Sequence, residues 1–130
     1  MFRLFLILLF LFNSAFIQAI ENRTALVIGN SNYHSAPLIN PKNDAEDFAK
    51  VLKTLGFKVI LRVDANLREM DEAVTQFGKL LEKETGVGLF FYAGHGVQSN
   101  GRNYLIPINS DLNRESDLKY NAMDAGKHTR

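Results

Sequence analysis

The chain has 130 residues, of which 46% are hydrophobic and 22% are charged, fractions that are typical of a globular protein and argue against a disordered or repetitive chain. This length accommodates one domain of modest size. The 15 lysines and arginines nearly balance the 14 aspartates and glutamates, so the charge does not favour a nucleic-acid partner.

The N-terminal residues predict an export signal over residues 1–19. Arg3 precedes an apolar run over residues 4–12, which has the length of the hydrophobic segment of a signal peptide and is too short to span a bilayer. We therefore expect the remaining domain, residues 20–130, to be exported and to be secreted or periplasmic. The alternative is an uncleaved anchor over residues 4–20, which would attach the same domain to a membrane.

The domain begins with a predicted strand over residues 24–28, an apolar run that ends before Gly29 and suits a strand buried on both faces. Residues 30–42 are predicted to form a loop, because Pro37 and Pro41 disfavour a helix there.

Two amphipathic helices are predicted on either side of a second strand at residues 57–63. The first helix has Asn43 as its cap and ends at Gly56, and the second begins with the capping pair Asn66 and Glu69. Apolar residues recur at helical spacing in both helices, namely Ala45, Phe48, Ala49, Leu52 and Leu55 in the first, and Met70, Ala73, Val74, Phe77, Leu80 and Leu81 in the second.

A third apolar strand at residues 87–92 leads directly into the glycine-rich segment 93–96. Asn100 and Gly101 then predict a tight hairpin turn, whereas residues 109–130 are polar and weakly patterned. Strands separated by helices of this length predict a mainly parallel sheet between two helical layers.

Such sheets gather their functional residues at the carboxyl ends of the strands. These ends carry Tyr33 with His34, then Asp64, and finally His95. A glycine on each side of His95 leaves its ring uncrowded and the neighbouring amides accessible, which suits a general base beside an oxyanion-binding position. The spacing alone leaves open an ordinary loop histidine.

Five short motifs follow one another along the chain, namely RTALVIGN at residues 23–30, NDA at 43–45, LGF at 55–57, FYAGHG at 91–96 and NYLIP at 103–107. In this order and spacing they resemble the caspase-like cysteine peptidases of bacterial type, relatives of metacaspases and paracaspases. The resemblance runs from residue 23 to about residue 125. It implies a three-layer α/β/α caspase-like sandwich that is incomplete at its C-terminal side.

The resemblance also implies that His95 is the catalytic histidine and that the backbone amide of Gly96 belongs to the oxyanion hole. In this family the histidine assists a cysteine thiolate that attacks a peptide or protein substrate. The cysteine lies about 50 residues after the histidine, and this sequence contains no cysteine. We therefore expect a partial catalytic domain over residues 20–130 that is inactive alone and uses no cofactor.

Three interpretations remain open for such a chain. It is a fragment of an endopeptidase, a non-catalytic pseudoenzyme that acts as an interaction module, or an enzyme completed by a cysteine from another chain. The residues from Met123 begin as the next helix of the family would, and residues 126–130 lose the apolar pattern, as expected of a premature end.

The remaining candidates have simpler explanations. His34 and His95 without a placed carboxylate make a poor zinc site, so we expect no metal, and Ser31 lacks the surroundings of a nucleophilic serine and suits a turn. The strand at residues 87–92, interior in the family, would lie at an edge here. It has no charge or proline to prevent pairing with another chain, which predicts self-association.

Overall fold

The computed structural model describes residues 21–127, so the predicted leader over residues 1–19 lies outside the described part of the chain. The main sheet has three parallel strands in the spatial order β2, β1, β3. The strands are β1 (Asn22–Gly29), β2 (Lys58–Val63) and β3 (Gly86–Ala93), and the helices that connect them are α1 (Pro41–Thr54) and α2 (Leu67–Lys83).

The central strand β1 forms the middle of two separate cores. Alternate side chains of a strand point to opposite faces of its sheet. Ala25 and Val27 therefore pack with the apolar residues of α1, whereas Leu26 and Ile28 pack with those of α2. These four side chains of β1 are fully buried. The predicted arrangement of a parallel sheet between two helical layers is confirmed.

Helix α1 begins at Pro41, two residues before the predicted cap. Proline is tolerated in the first turn of a helix, because the amide N–H that it lacks would have no partner there. Asn43 consequently lies exposed within the first turn, and its prediction as the cap was wrong.

Helix α2 begins with the predicted capping box. The side chain of Asn66 accepts a hydrogen bond from the amide of Glu69 at 2.9 Å, and the Glu69 carboxylate accepts one from the amide of Asn66 at 2.9 Å. Two amide groups that the helix itself cannot satisfy are thereby paired.

A second, smaller sheet follows β3 and is antiparallel. It consists of β4 (Gly96–Ser99), β5 (Arg102–Leu105) and β6 (Met123–Asp124), in that spatial order. The predicted turn between β4 and β5 is confirmed, with φ of +50° at Asn100 and +73° at Gly101, as a tight hairpin requires. Met123 does not start a helix as expected, because its backbone pairs with Leu105 of β5.

The weakly patterned residues after β5 form short elements, a single 3₁₀ turn and the four-residue helix α3 (Leu118–Asn121). Leu118 and Ala122 are buried and pack with Tyr33 and Ile106 in a third apolar cluster. This cluster anchors the loop that follows β1, because Tyr33 belongs to that loop.

The fully buried side chain of Asn30, directly after β1, connects this region to the rest of the fold. Its amide oxygen accepts a hydrogen bond from the backbone N–H of Ala65 at 2.8 Å. Its amide nitrogen donates to the carbonyl oxygens of Ala65 and Ile106, both at 3.3 Å. One side chain therefore joins the ends of β1, β2 and β5.

We expect Asn30→Ala to lower the free energy of unfolding by about 1–3 kcal/mol, because it leaves the buried backbone N–H of Ala65 without its acceptor. Urea denaturation followed by circular dichroism measures the change. Asn32→Ala is the control, since the exposed Asn32 side chain makes no hydrogen bond within residues 21–127. Equal stability of the two variants would contradict the assigned role of Asn30.

The two asparagines near helix starts provide a second comparison. Asn66→Ala is expected to cost about 1 kcal/mol of stability through loss of the capping bond. Asn43→Ala is expected to cost nothing, because alanine favours an exposed helical position at least as well. Thermal unfolding of both variants at one pH tests this; a larger loss for Asn43→Ala would show that α1 begins at the later residue.

Candidate active site

The predicted base, His95, lies just beyond the carboxyl end of β3 and is partly exposed. Its ring packs against the buried ring of Tyr33 with the centroids 4.4 Å apart. The loop after β1 and the segment after β3 are thus brought together, as expected for neighbouring parallel strands.

One ring nitrogen of His95 is held by the backbone. Its Nε2 atom lies 2.7 Å from the carbonyl oxygen of Ala36. A carbonyl oxygen only accepts hydrogen bonds, so Nε2 carries a proton and the neutral ring presents an unprotonated Nδ1. This is the form of imidazole that can accept a proton from a nucleophile at Nδ1.

Ala36 adopts a φ of +55°, a region that residues with a side chain rarely occupy. The strain is of the order of 1 kcal/mol. This backbone conformation turns the carbonyl of Ala36 toward His95. Backbone strain of this kind concentrates at functional sites, where the surrounding structure maintains it.

The two glycines beside His95 differ in how much space surrounds them. A Cβ atom at Gly94 would lie 2.6 Å from the hydroxyl of Tyr33 and 2.5 Å from that of Tyr92, so only glycine leaves room for both hydroxyls. The nearest atom to a Cβ at Gly96 would be 3.6 Å away, an ordinary contact. That both glycines leave the ring of His95 uncrowded stays a prediction.

The backbone N–H of Gly96 points to an open edge. Gly96 pairs with Leu105 in the β4–β5 ladder, and the hydrogen bond from Ile106 N–H to the carbonyl of His95 at 3.0 Å makes this a non-hydrogen-bonded pair. In such a pair the amide points away from the partner strand. Since β4 is the outer strand of its sheet, this N–H is available to an oxygen atom of a ligand.

A cleft of about 600 Å³ opens beside His95 and Gly96. The loop after β1 forms one wall with His34 and Ser35, and the segment after β5 forms the other with Ile108 and Asp111. Its size lies within the usual range for ligand clefts. A peptide segment laid in this cleft would pass both the imidazole and the free amide.

Two other predicted residues have structural roles. The carboxylate of Asp64 accepts hydrogen bonds from the backbone N–H groups of Ser31 and Asn32 at 2.9 and 3.0 Å. The hydroxyl of Ser31 accepts one from the backbone N–H of Lys42 at 2.8 Å, so it ties the loop after β1 to the start of α1. Neither side chain lines the cleft.

Sequence reasoning missed two contributors to the site. The carbonyl of Ala36 carries no signal in the sequence, because every residue type has one. Tyr92 was visible only as part of an apolar strand, yet its hydroxyl lies 2.7 Å from the carbonyl oxygen of His95. Burial raises the pKa of Tyr92, and the hydrogen bond with Tyr33 adds to this rise, so its hydroxyl keeps its proton at neutral pH.

Within residues 21–127, no group of three or more histidine, aspartate or glutamate side chains is arranged to hold a metal ion. In the same range, none of the helices is both long and apolar enough to cross a bilayer.

Comparison with known proteins agrees with this geometry. The family model described as the caspase domain matches residues 22–125. The human mucosa-associated lymphoid tissue lymphoma translocation protein 1 is 38% identical over 92 residues, and its mouse homologue is 37% identical over 92 residues. These 92 residues are 69% of this chain but only 11% of each relative. The chain spans a small part of their length, and it belongs to the caspase-domain family of peptidases.

Proposed function

We propose that this chain contributes the histidine half of a cysteine-type endopeptidase site, with His95 as the general base and the amide of Gly96 as an oxyanion donor. The observation that carries the proposal is the 2.7 Å contact between Nε2 of His95 and the carbonyl of Ala36. It leaves Nδ1 as the basic nitrogen. Membership of the caspase-domain family supports the same assignment.

The proposed reaction is acyl transfer from a peptide to a cysteine. Nδ1 takes the thiol proton, and the thiolate attacks the scissile carbonyl carbon. The Gly96 N–H stabilises the negative charge that develops on the carbonyl oxygen. The imidazolium then gives its proton to the departing amine, and water hydrolyses the thioester with the imidazole again acting as base.

The thiol has to come from outside these 130 residues, since they contain no cysteine. In the described residues, β3 has β1 on one side and no strand on the other. A strand added parallel to this free edge would end next to Ala93, two residues before His95. We propose this as the position from which a cysteine-bearing segment completes the site.

The second candidate is a non-catalytic interaction module, which the absence of a thiol from the 130 residues favours. Such a module would use the cleft beside His95 to bind peptide without cleaving it. The two functions differ in one measurable respect, because only the peptidase forms a covalent acyl intermediate on a supplied cysteine.

A fusion of the chain to a cysteine-bearing helix and strand from a caspase-domain protein tests the proposal. We expect hydrolysis of a fluorogenic peptide library that His95→Ala reduces by about 10²–10⁴-fold. Replacing the supplied cysteine by serine should abolish hydrolysis. Turnover that is unchanged in His95→Ala would contradict the assignment of the base.

Two substitutions at Gly96 distinguish the role of its backbone N–H from a requirement for a small residue. Gly96→Pro removes the N–H and is expected to reduce turnover by the fusion about 10²–10³-fold. Gly96→Ala keeps the N–H, and its Cβ has room, so it should remain close to the parent. Equal loss in both variants would instead indicate a steric requirement at this position.

We further propose that the free edge of β3 pairs with a second copy when no other strand covers it. The eight residues of β3 carry no charge, and Val87 and Phe90 are 41% and 46% exposed. The opposite edge strand, β2, carries Lys58 and Arg62, which would repel one another in a symmetric pair. The β3 edge is therefore the favoured contact.

Sedimentation velocity of the isolated chain without its leader tests this pairing. We expect a concentration-dependent dimer that Phe90→Lys converts to monomer, because each copy would then bring a positive charge to an edge strand that carries none now. Ile39→Lys is the control, since Ile39 is 87% exposed and lies outside β3, in the loop before α1. A monomeric parent chain at all concentrations would refute the proposal.

We also propose that residues 1–19 direct export of the domain, with a secreted or periplasmic location, or a membrane attachment if the leader is not cleaved. The support is the arrangement of Arg3 before the apolar residues 4–12.

A further inference from the structure

The peptide units on both sides of His95 are held by two tyrosine hydroxyls. The backbone N–H of His95 donates a hydrogen bond to the hydroxyl oxygen of Tyr33 at 2.9 Å. The carbonyl oxygen of His95 lies 2.7 Å from the hydroxyl of Tyr92. The two hydroxyl oxygens are themselves 3.1 Å apart.

Each tyrosine hydroxyl has a single proton, so the acceptor to which it donates can be assigned. Tyr33 accepts from His95 and has one proton to give, which reaches the carbonyl of Ile106 at 2.9 Å. The hydroxyl of Tyr92 lies 2.7 Å from the carbonyl oxygen of His95 and 3.1 Å from that of Ile106. We therefore assign its hydrogen bond to the carbonyl oxygen of His95. Both polar groups of the His95 backbone therefore have a tyrosine partner.

We propose that Tyr33 and Tyr92 are positioning residues that fix the backbone of His95, so that Nε2 meets the Ala36 carbonyl and Nδ1 is aimed at the cleft. This inference rests on the proposed role of His95 as a base. We call Tyr33 and Tyr92 together the tyrosine clamp.

Three features show that the clamp is built into the fold. Tyr33 is 6% exposed, and its ring also packs on the His95 ring. The carbonyl of Ile106, which receives the proton of Tyr33, is held by the buried amide of Asn30 as well. Gly94 has to be a glycine because a Cβ there would collide with both hydroxyls.

The clamp acts on orientation rather than on chemistry. A histidine at a loop ordinarily samples several rotamers, and catalysis is sensitive to misplacement of a reacting group by about 1 Å. Rotation of the His95 backbone requires its N–H to leave Tyr33 and its carbonyl to leave both Tyr92 and the N–H of Ile106. The Ala36 carbonyl then selects one rotamer and one tautomer.

The test uses Tyr33→Phe and Tyr92→Phe, which keep the rings and remove the hydroxyls. Tyr104→Phe is the matched control, because the Tyr104 hydroxyl makes no hydrogen bond to any of residues 21–127. Hydrogen exchange by NMR is expected to speed up about tenfold at the His95 amide in Tyr33→Phe, because the hydrogen bond of that amide is lost. Exchange at Leu26 in the core reports any global loss of stability.

The nitrogen-15 shifts of the His95 ring give a readout that a purely structural role would not move. We expect distinct signals from a protonated Nε2 and an unprotonated Nδ1 in the parent chain, and averaged signals in each phenylalanine variant at a pH where the ring is neutral. In the peptidase fusion, the same variants should lower kcat about tenfold or more with little change in KM.

The outcomes separate this inference from the function on which it rests. Ring signals and His95 exchange that stay as in Tyr104→Phe would overturn the clamp, even where His95→Ala abolishes turnover. Averaged ring signals in the two variants would establish the clamp, and a fusion that is inactive with a supplied cysteine would then count against the peptidase alone. Exchange that accelerates equally at Leu26 and His95 would also overturn it.

Discussion

The buried side chain of Asn30 is the constraint on which the site depends. It pairs with backbone groups of Ala65 and Ile106 and so joins the carboxyl ends of β1 and β2 to the end of β5. A buried amide with all its partners in place is costly to rearrange, because any movement leaves several polar groups without water. The segments on which the loops with Tyr33 and His95 rest are therefore fixed by a buried group of the core.

The candidate site depends on backbone groups more than on side chains. The carbonyl of Ala36 contacts Nε2 of His95, and the N–H of Gly96 is the oxyanion donor in the proposed reaction. Backbone dipoles need no ionisation and cost little reorganisation during a reaction. Their placement depends on local conformation, which explains the strained φ of +55° at Ala36 and the hydroxyls that surround the backbone of His95.

The free edge of β3 links the two proposals for this chain. An added parallel strand would deliver a cysteine beside His95, whereas a second copy would cover the same edge without supplying a thiol. Both occupants would satisfy the unpaired backbone groups of β3 and cover Val87 and Phe90. Completion of the site and self-association are thus alternative uses of one surface, and a segment that completes the site would compete with the dimer.

The sequence by itself determined the alternation of strands and helices and the position of His95 at a strand end. It also determined the capping box at Asn66 and the hairpin turn at Asn100 and Gly101. Periodicity, capping and turn chemistry act over a few residues, so they can be recognised without the tertiary structure. The sequence misplaced the start of α1 and the role of Met123, where a proline in a first turn and pairing with β5 outweighed local pattern. Only the tertiary structure decided the contacts of Ala36, Tyr92 and Gly94 with His95 or its neighbours. Those contacts are made by backbone atoms and close approaches, and the ones from Ala36 and Tyr33 to His95 span about 60 residues of chain, so no residue type specifies them in advance.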